Sequence, residues 1–352
     1  MPAEWEPHEA TWIAWPHNRD DWPGRFAPIP WVYGEIVRKL SGVERVRILV
    51  SGPALEAQAR RILRKIGANL EAVEFIQIKT NRVWTRDYGP IFLRGKKGDL
   101  ALTGWDFNAW AKYPDWHEDA AVPAILAASL DLPLWKPGIV LEGGSIDVNG
   151  QGPLLTTEEC LLSPVQARNP GLSRTAVEKK LRDYLGIDRV IWLRNGIAGD
   201  DTHGHVDDIA RFVASETVVA ASEKNREDAN FEPLRENHIL LREAGLRVIP
   251  LPMPRPLHFA GQRLPASYAN FYIANNLVLA PTFNDANDRV ALATLARAFP
   301  GRDVVGINCT ELIWGLGALH CMTQQQPAGS PSTYSQRVQK TTKRVTWEEH
   351  GS

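Results

Sequence analysis

An amphipathic helix, a short turn and an apolar strand succeed one another five times along this chain. That order reads as an alternating α/β chain. Helical spacing of apolar residues is readable over 55–66, 175–185, 231–243 and 288–299. Each stretch runs to a glycine (Gly67, Gly186, Gly245, Gly301) and then to an apolar strand over 75–78, 190–193, 248–251 or 304–307. Glycine just past a helix accepts the left-handed stop that other residues resist, so the joint has a mechanism. A fifth, weaker joint leads from a helix over 124–130 through Leu132 and Leu134 to a strand over 139–141.

Five copies of one unit point to a repeat architecture. The polar positions agree: Asp87, His205 and Cys321 lie 20, 19 and 20 residues beyond Gly67, Gly186 and Gly301. Copies set about an axis would aim these residues at one central pocket, although any alternating α/β chain offers similar spacings. The 352 residues would fill one large domain or two smaller ones, and no Ser/Gly linker interrupts them before the end. The reading is one catalytic domain over 1–327. From 328 to 352 the composition turns to Ser, Thr, Gln, Lys and Arg, the profile of a disordered tail or a cloning remnant.

Charge excludes some partners. A net charge of -1 offers no basic face for nucleic acid. No run approaches the roughly 18 apolar residues a membrane span needs. The first fifteen residues carry Glu4, Glu6, His8 and Glu9 and lack the basic stretch and apolar core of a signal peptide, which points to the cytoplasm. Three cysteines without paired spacing argue against a disulfide framework or a thiolate zinc site, and leave the thought that one of them reacts. Thirteen tryptophans include two clusters, Trp5, Trp12, Trp15 and Trp22, then Trp105, Trp110 and Trp116. Packing accounts for most of them, while some could wall a pocket for a cation.

The densest set of reactive side chains runs from Gly199 to Asp208, with His203, His205 and Asp207 in His-x-His-x-Asp spacing. If the segment is extended, those three share a face and could ligate metal. Further histidines would have to complete the set, and His238 lies in a helix, His258 in a proline-rich loop, and His320 opposite to Cys321. In the second reading His205 moves protons and Asp207 grips a cation. Near the other end, Gly315-Leu316-Gly317-Ala318-Leu319-His320-Cys321 holds a Gly-x-Gly, but no strand–turn–helix unit follows for a dinucleotide, and no cofactor is implied. A cysteine after a glycine-rich turn is well placed to expose its sulfur, although cysteine is also a commonly buried residue. Cys160 and Cys309 sit in apolar, strand-like contexts and read as structural. Asp87 lies in a loop between strands. Glu142 ends an apolar strand and is followed by Gly143 and Gly144, which leave room for something to come close.

Five motifs in order then carry a family resemblance. They are Trp84-Thr85-Arg86-Asp87 with Gly89-Pro90, Glu142-Gly143-Gly144-Ser145-Ile146, Leu155-Thr156-Thr157-Glu158-Glu159-Cys160-Leu161-Leu162, Thr202-His203-Gly204-His205-Val206-Asp207-Asp208, and His320-Cys321-Met322-Thr323-Gln324-Gln325. Together with Pro2-Ala3-Glu4-Trp5-Glu6-Pro7 they resemble the agmatine deiminases, grouped with bacterial peptidyl-arginine deiminases, from residue 2 to about Pro327. The resemblance implies the pentein fold, an α/β propeller of five pseudo-repeated ββαβ modules around a central site. It implies a hydrolase of linear amidines that needs no metal or cofactor. Its substrate would be agmatine, its products ammonia and N-carbamoylputrescine, a step toward putrescine in polyamine biosynthesis. The sequence departs from the pattern at His203, where many members are acidic, and at Ala318-Leu319, where a third glycine with Asn-Ile is common. Both places border the pocket and bear on substrate preference.

Carried over by position, Cys321 attacks the guanidinium carbon and forms a thiouronium, His205 protonates departing ammonia and then activates water, and Glu142 orients His205. Asp87 and Asp207 grip the guanidinium nitrogens, and Trp84 either walls the alkyl chain, stacks on the cation or belongs to the core. Nearby carboxylates should raise Cys321 above the ordinary thiol value of about 8.5 until a cation arrives. Peptidyl-arginine is the alternative substrate. A metal hydrolase using His203, His205 and Asp207, or a pentein that binds without catalysing, are the readings from other classes. A homo-oligomer is compatible with the sequence.

Overall fold

The computed structural model describes residues 1–329, so the expected tail, apart from Ala328 and Gly329, lies outside the described residues. Five small sheets, each built largely from consecutive chain, make the body of the molecule. The first contains β1 (His8–Ala14), β2 (Arg45–Val50) and β3 (Val73–Gln77), joined in parallel through α1 (Ile29–Leu40) and α2 (Pro53–Ile66). After the single turn α3 (Thr85–Tyr88) come β4 (Ile91–Arg94), β5 (Leu100–Thr103), α4 (His117–Leu130) and β6 (Leu134–Trp135). The third sheet has β7 (Asp147–Val148), β8 (Pro153–Thr157) and, beyond α5 (Glu158–Leu162) and α6 (Arg174–Leu185), β9 (Arg189–Leu193). The fourth has β10 (Ala210–Ala214), β11 (Thr217–Ser222), α7 (Phe231–Glu243) and β12 (Arg247–Pro252). A small hairpin of β13 (His258–Phe259) and β14 (Gln262–Arg263) precedes the fifth, β15 (Tyr272–Ala274), β16 (Leu277–Thr282), α8 (Asp288–Ala298) and β17 (Asp303–Asn308).

Sheets two to five share one plan: an antiparallel pair, then a helix, then a strand parallel to the middle one. The first sheet obtains its antiparallel partner from the far end of the chain, where β18 (Gln324–Pro327) pairs with β1, Trp12 opposite Gln324. Neighbouring units then pack edge to edge: α7 on β9, α8 on β12, and α1 on β17. This is the five-module pentein arrangement.

Local rules explain the units. In α6, Ser173 accepts a hydrogen bond from the Ala176 amide, Val177, Leu181 and Leu185 fall on one buried face, and Gly186 stops the helix at φ 67°. Middle strands such as β16 are buried almost throughout, while the outer strand β17 has one buried position, Ile307, and is otherwise exposed or half-buried. Two joints differ from the sequence reading. Gly301 is not left-handed; α8 already ends at Phe299, φ −122°. In the weaker joint the paired strand is Leu134–Trp135, and 139–141 contributes only a bridge between Val140 and Asp106. The helix α1 lacks a counterpart in the reading: Pro30 falls in its first turn, where no amide is needed, and Ile29, Tyr33, Ile36, Val37 and Leu40 form its buried face.

The functional consequence lies in the connectors. Each leads from the last strand of one sheet to the first strand of the next. Each also ends in polar residues just before that strand: Asp87 before β4, Glu142 before β7, Asp207 and Asp208 before β10, Asn270 before β15, Cys321 before β18.

Candidate active site

Gly144 marks the point where three of these connectors meet. A Cβ placed on it would stand 2.6 Å from His205 Nδ1, 2.8 Å from Asp87 Oδ1 and 3.0 Å from Asp207 Oδ2. Its amide donates to Asp87 Oδ1 at 3.0 Å. The room that the sequence reading saw beside Glu142 is therefore occupied by the reactive groups themselves. Gly144→Ala is expected to cut turnover by at least about a hundredfold, the loss that a misplacement of about 1 Å produces. Steady-state kinetics of that variant, with near-normal melting as the control for folding, provide the check.

His205 is fully buried, with Nε2 3.7 Å from Glu142 Oε2 and Nδ1 3.8 Å from Asp87 Oδ1. These separations are those of ion pairs, too long for hydrogen bonds, and neither ring nitrogen has a hydrogen-bond partner among the described residues. Burial pushes the imidazole toward neutrality, but the surrounding acids, Asp87 first, outweigh it and hold the ring charged well above its ordinary range. Glu142 shows the same competition with the opposite outcome. Burial alone would protonate it, yet Arg168, 2.9 Å away, and His205 bring its pKa down to about 2.

Asp87 has the His205 ring at 3.8 Å to lower it, but no arginine in contact among the described residues. Its Oδ2 accepts from Trp110 Nε1 at 3.0 Å, but burial, with Asp207 and Glu142 adding to it, lifts the carboxyl to about 6. Below that value Asp87 becomes neutral and loses its hold on a cation, so kcat/KM for a guanidinium substrate should fall as pH drops through 6. A flat profile from about pH 7 to 5 would contradict the assignment, since kcat/KM reports groups of the free enzyme.

Cys321 is 4% exposed and lines a cavity of about 450 Å³. Its Sγ accepts from Asn270 Nδ2 at 3.1 Å and lies 3.9 Å from Asp207 Oδ2. Burial first, then Asp207, Asp208 and Asp87, raises the thiol well above its usual range, so the expected direction holds, with burial as the larger cause. Asp207 has one oxygen taken and one free. Its Oδ2 accepts from His320 Nδ1 at 2.7 Å, whereas Oδ1 has no partner among the described residues. Burial opposes its ionisation, but His320 brings the carboxyl below its ordinary value. Trp84 forms part of the cavity wall and packs its ring against Trp22 and the backbone of Gly317.

Several sequence expectations need correction. His203 does not join His205 and Asp207: it faces Glu159 and Ser163, because the segment turns through left-handed His203 and Gly204 into a 3-10 turn over 206–208. The set proposed for metal is thereby broken. Among the described residues, Glu142, Cys160 and His205 bring potential ligand atoms within 4.8 Å of one another, but Arg168 already neutralises Glu142 there and repels a cation. His320 does not turn away from Cys321's partners; both side chains reach Asp207 Oδ2, since residues 320–321 form a turn and are not extended. Cys160 lies in α5, with its amide donating to Thr157 Oγ1, and is not in a strand. It and Cys309 are buried.

Glu4, Arg168, Asn270 and Trp110 are site residues that the sequence reading did not assign. Trp110 stands in a run of three left-handed residues, Ala109, Trp110 and Ala111 at φ 49°, 57° and 54°, without a glycine to announce it. The motif Arg168-Asn169-Pro170, an arginine amid short polar turns, was the one available hint for Arg168.

A family profile described as Porphyromonas-type peptidyl-arginine deiminase matches residues 1–327. The chain belongs to that family. It is 36% identical over 358 aligned positions to an agmatine deiminase of Pseudomonas aeruginosa, covering 93% of this chain and 95% of the relative. Among solved structures, a C. jejuni agmatine deiminase with a cysteine replaced by serine and substrate bound superposes with TM-score 0.86 at 32% identity, covering 94% of this chain and 96% of that one. An agmatine deiminase of Enterococcus faecalis matches with the same TM-score and identity, over 93% and 95% of the two chains. The family relationship therefore spans all five modules and every connector that reaches the cavity. None of the helices is long and apolar enough to cross a membrane among the described residues.

Proposed function

We propose that this protein is an agmatine deiminase, hydrolysing agmatine to N-carbamoylputrescine and ammonia. The observation that carries the choice of substrate is the charge of the cavity. Asp20, Asp21, Asp87, Asp115 and Asp201 line it, against one arginine, Arg82, which is paired with Asp21 and Asp115. Burial lifts Asp21 to about 7, so it contributes a partial charge, and the wall remains acidic. Agmatine carries a cation at each end and suits such a wall along its whole length. Arginine brings a carboxylate, which the acidic wall repels.

The chain's own groups supply each step. Asp87 and the free oxygen of Asp207 bind guanidinium nitrogens, which localises the delocalised charge and makes the central carbon more electrophilic. The cation's arrival offsets the carboxylates that hold Cys321 neutral, so the thiol releases its proton to solvent, His205 being already charged, and Asn270 donates to the sulfur as it ionises. The sulfur bonds to carbon, a C–N bond breaks, and His205 gives a proton to the leaving ammonia. Water then attacks the thiouronium as neutral His205 takes its proton, and the C–S bond breaks to leave a urea and free thiol. Glu142 balances the charge on His205 from the far side.

Residues 1–327 work as one catalytic domain in this reading, because connectors from all five modules bring Asp87, Glu142, His205, Asp207, Asn270 and Cys321 into one linked cluster, each 3.1–3.9 Å from another member. A cytoplasmic place of action accords with its three free cysteines. The test is ammonia release from agmatine, arginine and an arginyl peptide under matched conditions. Agmatine should be consumed with the highest kcat/KM; faster turnover of the peptide would replace this reading with protein citrullination.

A further inference from the structure

Behind the cavity lies a chain of buried charges of which the chemistry above uses only Asp207. His320 Nδ1 is 2.7 Å from Asp207 Oδ2, and His320 Nε2 is 2.8 Å from Glu4 Oε2. Glu4 Oε2 is in turn 2.8 Å from Arg211 Nη2, and Arg211 reaches Asp147 at 2.8 Å. Arg86 stands 3.5 Å from Glu4 on the other side and points its Nε at the His320 carbonyl. All are buried, His320 to 1% exposure and Asp207 to none.

Hydrogen-bond chemistry fixes the state of the ring. Ionised carboxylates only accept, so a ring placed between two of them must donate from both nitrogens and is an imidazolium. Both acids have cations other than the ring to hold them ionised against their burial: Arg211, 2.8 Å away, and Arg86 act on Glu4, and His205 and Arg211 act on Asp207. The pairing has a directional result. It engages Oδ2 of Asp207, the oxygen 3.9 Å from Cys321 Sγ, and leaves Oδ1 unpartnered among the described residues.

We infer that His320, clamped as an imidazolium between Glu4 and Asp207, is a positioning residue that turns the free oxygen of Asp207 toward the substrate cation. It touches no substrate atom itself. A neutral or differently placed ring would let Asp207 rotate and offer the wrong oxygen. The positive charge also tempers the repulsion between Asp207 and the Cys321 thiolate. This inference rests on the deiminase reading for its kinetic arm, whereas its structural arm does not.

The structural arm is nitrogen NMR of the histidine-labelled enzyme without substrate, at neutral pH. One ring, identified by its shift in Glu4→Gln, should carry protons on both nitrogens; a ring with a single proton there overturns the inference. In the kinetic arm, His320→Gln, which keeps one donor for Asp207, should raise KM for agmatine by roughly ten- to a hundredfold, the range seen when the support of a ligating group is removed. The fall in kcat should be smaller. A lower kcat with unchanged KM, or no change in either, refutes a positioning role. Should the variant fail to fold, the NMR result on the unaltered chain decides alone. An unaltered enzyme that ignores agmatine refutes the function instead, and leaves the ring's protonation still to be read.

Discussion

Cys321→Ala should abolish ammonia release, lowering kcat on the order of a million-fold, as removal of a covalent nucleophile does elsewhere. The fold should survive. Cys321 is buried at the cavity floor, its amide lies 3.4 Å from Asn270 Oδ1, and the change deletes one sulfur without stranding a charge. Substrate should still bind, since Asp87 and Asp207 remain, so calorimetry with agmatine separates lost chemistry from lost binding. The same sulfur makes a second test in the unaltered protein. Burial and three aspartates hold the thiol neutral, so iodoacetamide should react slowly through neutral pH when no cation is present. Rapid alkylation of the free enzyme at about pH 6 would show a thiolate already formed, and the account of substrate-triggered ionisation would fall.

Arg168→Met should destabilise the protein by about 3–5 kcal/mol, the cost of removing one partner from a buried ion pair. Both side chains are 0% exposed. Arg168 also donates to the carbonyls of Gln166 and Thr202, so three acceptors lose a donor together. The pH dependence has a definite sign. Glu142 has its folded pKa lowered to about 2 from 4.5, so its stabilisation is present above 4.5 and is lost as pH falls toward 2. Without Arg168, burial dominates and that contribution disappears across the neutral range. The melting temperature should drop by at least about 5 °C. Adding Glu142→Gln should recover part of the loss, because no buried charge is then left alone; a double variant no more stable than the single one would place the cause elsewhere.

Legibility from sequence tracked how local each signal was. The helix–strand joints were readable because apolar spacing and a terminal glycine act within a dozen residues, as at α6 and Gly186. Asp87, Glu142, His205, Asp207 and Cys321 were singled out through short motifs; Asp87 and Cys321 line the cavity, His205 lies 3.8 Å from Asp87 and 3.7 Å from Glu142, and Asp207 lies 3.9 Å from Cys321. The argument from alternation was unsound even so: His205 and Asp207 converge through a left-handed bend and a 3-10 turn, where strand periodicity does not apply. Glu4 and His320 meet across 316 residues, and no spacing rule reaches so far. Trp110 was visible as a member of a tryptophan cluster. Its grip on Asp87 depends on a left-handed run built from alanines, for which composition gives no sign.

The return of β18 to β1 has a consequence for synthesis. The thiol stands three positions ahead of the strand that closes the ring, so among Asp87, Glu142, His205, Asp207 and Cys321 it is the last to leave the ribosome and the one whose seat is finished by closure. A nascent chain that has made its acids and imidazole still lacks the thiol's seat until β18 docks against β1. Chemical competence and completion of the fold thus arrive together, and a product cut short before that segment would carry the pocket without the means to use it.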